Sequence, residues 1–169
     1  MAVTGVTYKP QIVKLGGAVE ERYAYAAGAV DTIAAGDLIR INTSGTIDLA
    51  DAASAGAVHG IALEAGVAGS ALPIIKFASD TIVKIQCIDT VAPEDLKKGV
   101  AYTLEIGTSV FGVTSTTTNG VALVVDYADT DMPWEDAYAS FDEDSADNNN
   151  AVLVRFSAAT LDGHAAAAS

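Results

Sequence analysis

Cysteine and histidine are nearly missing from this chain of 169 residues, and basic side chains are few. The lone cysteine, Cys87, rules out an internal disulfide framework. With only two histidines beside it, His59 and His164, the nitrogen and sulfur donors of a zinc site are lacking too. Nine Lys and Arg stand against 22 Asp and Glu, a net charge of −13. That is the wrong sign for a nucleic-acid footprint and for an anionic membrane surface. No apolar run reaches the roughly eighteen residues of a membrane span. Met1–Gln11 lacks the apolar stretch of a secretion signal, so a soluble protein made in the cytoplasm is expected. Large core-forming side chains are also scarce: one Trp, four Phe and six Tyr. The 50% hydrophobic content overstates the core, because about a fifth of the residues are Ala. One domain with a modest core is expected.

Catalytic motifs are lacking as well. Gly107-Thr108-Ser109-Val110-Phe111 fails the nucleophile-elbow pattern at its last position. No glycine-rich loop ends in Gly-Lys-Ser/Thr, and no Gly-x-Gly-x-x-Gly occurs. Asp129 and Asp131, and Asp142 and Asp144 with Asp147 nearby, have spacings that suit calcium. They lack the glycine and terminal glutamate of an EF-hand, so an acidic face toward solvent or a partner is the expectation. His59 and the buried thiol of Cys87 read as structural. No catalytic, cofactor or metal site is expected, and the chain reads as a structural or binding protein.

What the chain does have is a repeat. Gly36-Asp37-Leu38-Ile39-Arg40-Ile41, Thr46–Leu49 and Gly60-Ile61-Ala62-Leu63 are echoed by Gly99–Leu104, Val110–Val113 and Gly120-Val121-Ala122-Leu123. Two three-strand units are expected, with Gly36 equivalent to Gly99 and Gly60 to Gly120. Alternation and Gly-rich turns predict strands near 38–42, 46–50, 58–64, 72–77, 81–88, 100–105, 110–115, 121–126 and 151–156. Pro93–Gly99 carries the strongest helical signal, barely more than one turn, and 51–55 offers another turn. The fold class is all-β, a compact barrel or sandwich of short strands, with an extended N-terminal arm and a C-terminal tail. The divisions are an arm over 1–22, a β domain over 23–157 and an Ala-rich tail over 158–169. Segment 126–147 holds nine of the acids and no basic residue, yet carries Tyr127, Trp134, Tyr138 and Phe141. Four large rings in an acidic stretch indicate packing against something.

Ala35-Gly36-Asp37-Leu38-Ile39, Gly45-Thr46-Ile47, His59–Ala65 and Ala68–Ile74 together resemble the capsid cement (decoration) proteins of tailed bacteriophages. There, a Gly-Asp turn, a short hairpin and a Gly-Ile-Ala-Leu strand precede a small-residue turn and a further strand. The resemblance implies a small, often trimeric β protein bound to the outer face of a virion shell, with the major capsid protein as its partner. A homotrimer is expected, with Trp134, Tyr138 and Phe141 between protomers. The arm carries three of the nine basic residues, Lys9, Lys14 and Arg22. Tyr8, Lys9, Pro10, Ile12, Val13 and Lys14 are therefore the expected shell contacts, and removal of residues 2–15 is expected to leave the body folded. An edge strand of the same body is the competing reading of this segment. Competing functions are a tail or head-fibre module, or a non-viral β-type binding domain.

Overall fold

The computed structural model describes residues 9–26, 32–50, 58–88, 91–107, 110–118, 120–127 and 151–156. Among these residues, twelve strands carry the fold: β1 (Gln11–Lys14), β2 (Val19–Ala24), β3 (Leu38–Ile41), β4 (Ile47–Leu49), β5 (Gly60–Ala62), β6 (Ala71–Lys76), β7 (Ile82–Gln86), β8 (Ala101–Tyr102), β9 (Leu104–Gly107), β10 (Val110–Val113), β11 (Ala122–Tyr127) and β12 (Ala151–Phe156). Neighbours pair antiparallel in two five-stranded sheets, β2-β6-β5-β3-β4 and β1-β7-β12-β11-β8, with β9 and β10 as a separate hairpin. The all-β expectation is met. Alternation places Ile39, Ile41, Ile47, Leu49, Val83, Ile85, Val152, Val154 and Phe156 in one common core.

The repeat is real and larger than three strands. In the first unit β3 pairs β5 through Leu38–Ile61 and Ile39–Gly60. In the second, β8 pairs β11 through Ala101–Leu123 and Tyr102–Ala122. The next pair follows in step: Gly60–Lys76 and Ala62–Ile74 match Ala122–Phe156 and Val124–Val154. β2 on β6, through Glu21–Ile74 and Tyr23–Leu72, matches β7 on β12, through Val83–Val154 and Ile85–Val152. Even the isolated contacts repeat. Tyr25 bridges Ile47 in parallel as Cys87 bridges Val113, and the Ala26 and Ile88 amides donate to the Ile47 and Val113 carbonyls at 3.0 and 3.1 Å.

Gly36 and Gly99 are equivalent, as their sequence contexts predict. Both have positive φ, +87° and +82°, and their amides donate to Ala62 and Val124. Gly60 is equivalent to Ala122, not to Gly120. A Cβ on Gly60 would meet the Ile75 carbonyl oxygen at 2.4 Å, whereas Gly120 precedes β11 and faces the Ala101 carbonyl. Both glycines permit close backbone approach, but at different places in the register.

The helical signal yields a single 3-10 turn, Pro93–Asp95. It ends because Leu96 turns extended and is fully buried, drawn into the core. The turn expected over 51–55 lies outside the described residues, as do segment 128–150 and the tail from residue 157.

From residue 9 onward the expected N-terminal arm is part of the body. Gln11–Ala24 runs antiparallel to Ala71–Lys84, from Gln11–Lys84 to Ala24–Ala71, with a register irregularity between Ile12 and Lys14. This ribbon crosses between the sheets, since β1 and β7 belong to one and β2 and β6 to the other. Apolar contact explains the docking: Ile12 and Tyr23 pack against the core. Phe77 and Phe156 stack between the units, ring centroids 5.2 Å apart and nearly parallel.

Candidate interaction surface

The structure divides the expected shell contacts into two groups. Lys9, Pro10 and Ile12 are occupied inside the molecule. Lys9 Nζ donates to the Ala35 carbonyl at 3.0 Å and to Asp37 Oδ1 at 3.1 Å. Asp37 is fully buried, and its other oxygen accepts the Ala34 amide at 2.8 Å. Lys9 thus compensates a buried carboxylate at the Gly36 turn of the first unit, while β1 pairs with β7 of the second. Pro10 is buried and Ile12 half-buried. Removing residues 2–15 would strip Asp37 of its cation and uncover β7, so a folded body is no longer the expected result.

Val13 and Lys14 point outward. Val13, Leu15 and Val19 are 39%, 53% and 49% exposed, an unusual density of accessible aliphatic side chains in so short a stretch. Two interlocked turns set their position. Gly17 N–H donates to Asp80 Oδ1 at 2.9 Å, and the Thr81 hydroxyl donates to the Leu15 carbonyl at 2.9 Å. Gly16 sits at φ +57°, and a Cβ there would lie 2.5 Å from Asp80 Oδ1, so a side chain would displace the carboxylate from the Gly17 amide. The Gly17 amide, more than the nearby Lys14 and Arg155 charges, holds the Asp80 carboxyl below its ordinary range. The exposed surface of the former arm is therefore a turn with aliphatic side chains and two cations nearby, fixed rigidly to the body. Tyr8, Trp134, Tyr138 and Phe141 lie outside the described residues, as do the aspartates with calcium-like spacing.

His59 and Cys87 both lie in the core, and His164 lies outside the described residues. His59 is buried, and its Nδ1 accepts the Ile41 amide at 3.0 Å. Cys87 is buried, and its thiol is pushed up to about 12 by burial first and by Glu94 and Asp95 next. Sequence reasoning missed Lys84 and Gln86. Alternation in β7 assigns them to the outer face, yet both are buried, and burial pushes the Lys84 ammonium down to about 8. β7 lies between β1 and β12 where the two units join, and a single-strand pattern carries no signal of that.

A shallow open depression of about 390 Å³ lies along Thr32, Glu64, Val67, Ser70 and Leu72, with Glu64 its one titratable group among the described residues. Among the described residues, no three His, Cys, Asp or Glu side chains gather as a metal site would require. Where the acidic segment begins, Asp126 pairs with Lys98 at 2.6 Å, and Lys98 Nζ also lies 4.9 Å from the Tyr127 ring centre. Their hydrogen bond lowers the Asp126 carboxyl and raises the Lys98 ammonium. Tyr127 in turn donates its hydroxyl to the Leu96 carbonyl at 2.9 Å. The chain matches no protein-family model, no curated protein and no solved structure.

Proposed function

We propose that this protein is a cement protein, which binds the outer face of a tailed-phage head and stabilises it against internal pressure. One observation carries the reading. Within the stretch that resembles cement proteins, Ile33–Phe77, the described residues form β3 to β6 of one sheet, with the Gly-Asp turn clamped by Lys9 and the Gly-Ile-Ala strand at the sheet's centre. The two packed units form one body, and its Val13–Val19 turn offers apolar and cationic contacts to a lattice. Each contact can be weak, because repetition over a lattice multiplies occupancy. A trimer held by Trp134, Tyr138 and Phe141 would engage three lattice points at once.

Expanded heads from the phage encoding this protein, prepared without it, test the reading. Purified protein should bind them saturably, in a fixed ratio to the major capsid protein, and raise the temperature at which they release DNA. Lys14→Glu combined with Leu15→Ser should lower occupancy at least about tenfold while leaving the fold intact, since both side chains are exposed. Absence of binding to any head form by the folded wild-type protein would sink the reading.

A further inference from the structure

The duplication exposes a difference between the units. In the second, the outer edge of β7 is covered by β1 over Ile82–Lys84. The equivalent edge in the first unit is Glu20–Arg22 of β2, and among the described residues β2 pairs only with β6. β4 reaches that side only beyond the strand's end, at Tyr25 and Ala26. Hydrogen bonding shows which groups face outward. Tyr25 exchanges its amide and carbonyl with Ser70 and Gly69 on the β6 side, while the Ala26 amide points the other way, to Ile47. Alternation then turns the amides and carbonyls of Glu20, Arg22 and Ala24 outward, and those of Val19, Glu21 and Tyr23 toward β6.

We infer that this edge docks a second copy of the same strand, antiparallel about a two-fold axis through Glu21, with Glu20 opposite Arg22 of the second copy. Antiparallel pairing sets outward-facing residues opposite one another, and because β4 already meets Tyr25 and Ala26 on this side, registers centred on Tyr23 or Ala24 are obstructed and those centred on Glu20, Glu21 and Arg22 are left. Placing Glu20 opposite itself, or Arg22 opposite itself, sets like charges face to face. The register centred on Glu21 instead forms two Glu–Arg pairs and sets Val19 opposite Tyr23. Glu20 and Arg22 are both exposed and on one face, free to meet the second copy. The two Glu21 carboxylates that meet at the axis each have a Lys76 ammonium 3.9 Å away. Charges on an edge strand ordinarily prevent indiscriminate pairing. Here their order, Glu-Glu-Arg, admits one self-complementary register and penalises its neighbours.

This contact stands apart from the shell reading and from any three-fold contact made by the acidic segment; on a lattice it would join neighbouring trimers across two-folds. A five-residue edge buries well under the roughly 1,200 Å² of a stable interface, so covalent trapping suits it better than dilute sedimentation. At the axis, Glu21 pairs with itself at a non-hydrogen-bonded position, where cross-strand disulfides form readily. Full-length Glu21→Cys should oxidise to a disulfide-linked dimer at least about tenfold faster than Ser79→Cys, an exposed turn control. Buried Cys87 takes no part. Adding Arg22→Pro, which removes an outward amide unused by β6, should abolish the difference. In the Glu21→Cys background, Glu20→Arg or Arg22→Glu should each slow the reaction, and the two together, or an equimolar mixture of the two singles, should restore it. Equal rates for Glu21→Cys and Ser79→Cys, or failure of the double exchange to rescue, would overturn the inference.

Discussion

Gly36 and Gly99 occupy the same turn in two copies, so each serves as the internal control for the other. Both sit at strongly positive φ, and alanine there should cost about 1–2 kcal/mol in backbone strain at either position. The surroundings differ. A Cβ on Gly99 meets nothing within 4 Å, whereas one on Gly36 meets Lys9 Cδ at 3.0 Å. Lys9 cannot swing aside freely, because its ammonium is tied to the Ala35 carbonyl and to buried Asp37. Gly36→Ala should therefore cost a further 1–3 kcal/mol, roughly the loss of a hydrogen bond to a charged group. Urea unfolding of both variants measures the difference directly. For a chain of this size it corresponds to about 2–4 °C in Tm per kcal/mol. The cause is separable: in a Lys9→Ala background, the cost of Gly36→Ala should fall to that of Gly99→Ala. Equal costs in the wild-type background would refute the clamp, and so would an unchanged difference after Lys9 is removed.

Further outcomes follow from the same geometry. Phe156→Ala, which removes a buried ring stacked on Phe77, should cost about 3–5 kcal/mol in urea unfolding, and Phe156→Leu markedly less. The Asp80 carboxyl is held below its ordinary 3.8, so its contribution is present above that pH and fades as pH falls through the lower folded value; Asp80→Ala should remove that part of the acid sensitivity in a Tm-versus-pH series. Lys84 gives a slope of the same sign at higher pH. Its folded value is about 8 against 10.5, so the unfolded chain binds more protons in between and stability should rise with pH from about 8, a rise that Lys84→Met should flatten. From pH 9 upward the Cys87 thiol works against it, staying protonated to about 12 when folded, and native protein should resist thiol reagents until it unfolds.

The parts of the fold legible in the sequence are those where one strand face is apolar and the other polar. Ile39 and Ile41 around Arg40, Ile47 and Leu49 around Asp48, and Val152, Val154 and Phe156 all announce both strand and facing. β2 was hidden because Glu20-Glu21-Arg22 reads as a charged linker; an edge strand with most of its side chains accessible has little apolar pattern to show. Lys9 illustrates a second limit. Its charge suggested a surface contact, and only the three-dimensional path shows it neutralising Asp37 from 28 residues away. Aspartate in a Gly-Asp turn is a weak hint that such a cation is needed. Glycine matching misled at Gly120, because a repeated motif in text need not keep its place in a hydrogen-bond ladder. Of the exposed aliphatic turn, Val13 and Lys14 were among the expected contacts, and the neighbouring Leu15 and Val19 emerge only once the interlocked turns are in view.

The position of β12 carries a consequence for how the chain is made and cut. This strand, the last among the described residues, enters between β7 and β11, both already synthesised, and pairs with each. A ribosome that has finished the first 127 residues has every described strand of the first unit but only an incomplete second sheet, with a slot at its middle. Unit two must wait for the final strand, while the first can close early. Conversely, a protease that cuts once within 128–150 after folding would leave two pieces gripped by ladders on both flanks of β12. The nicked protein would migrate as one particle in native conditions and as two fragments in denaturant, and a synthetic 151–169 peptide could restore a chain truncated at residue 127.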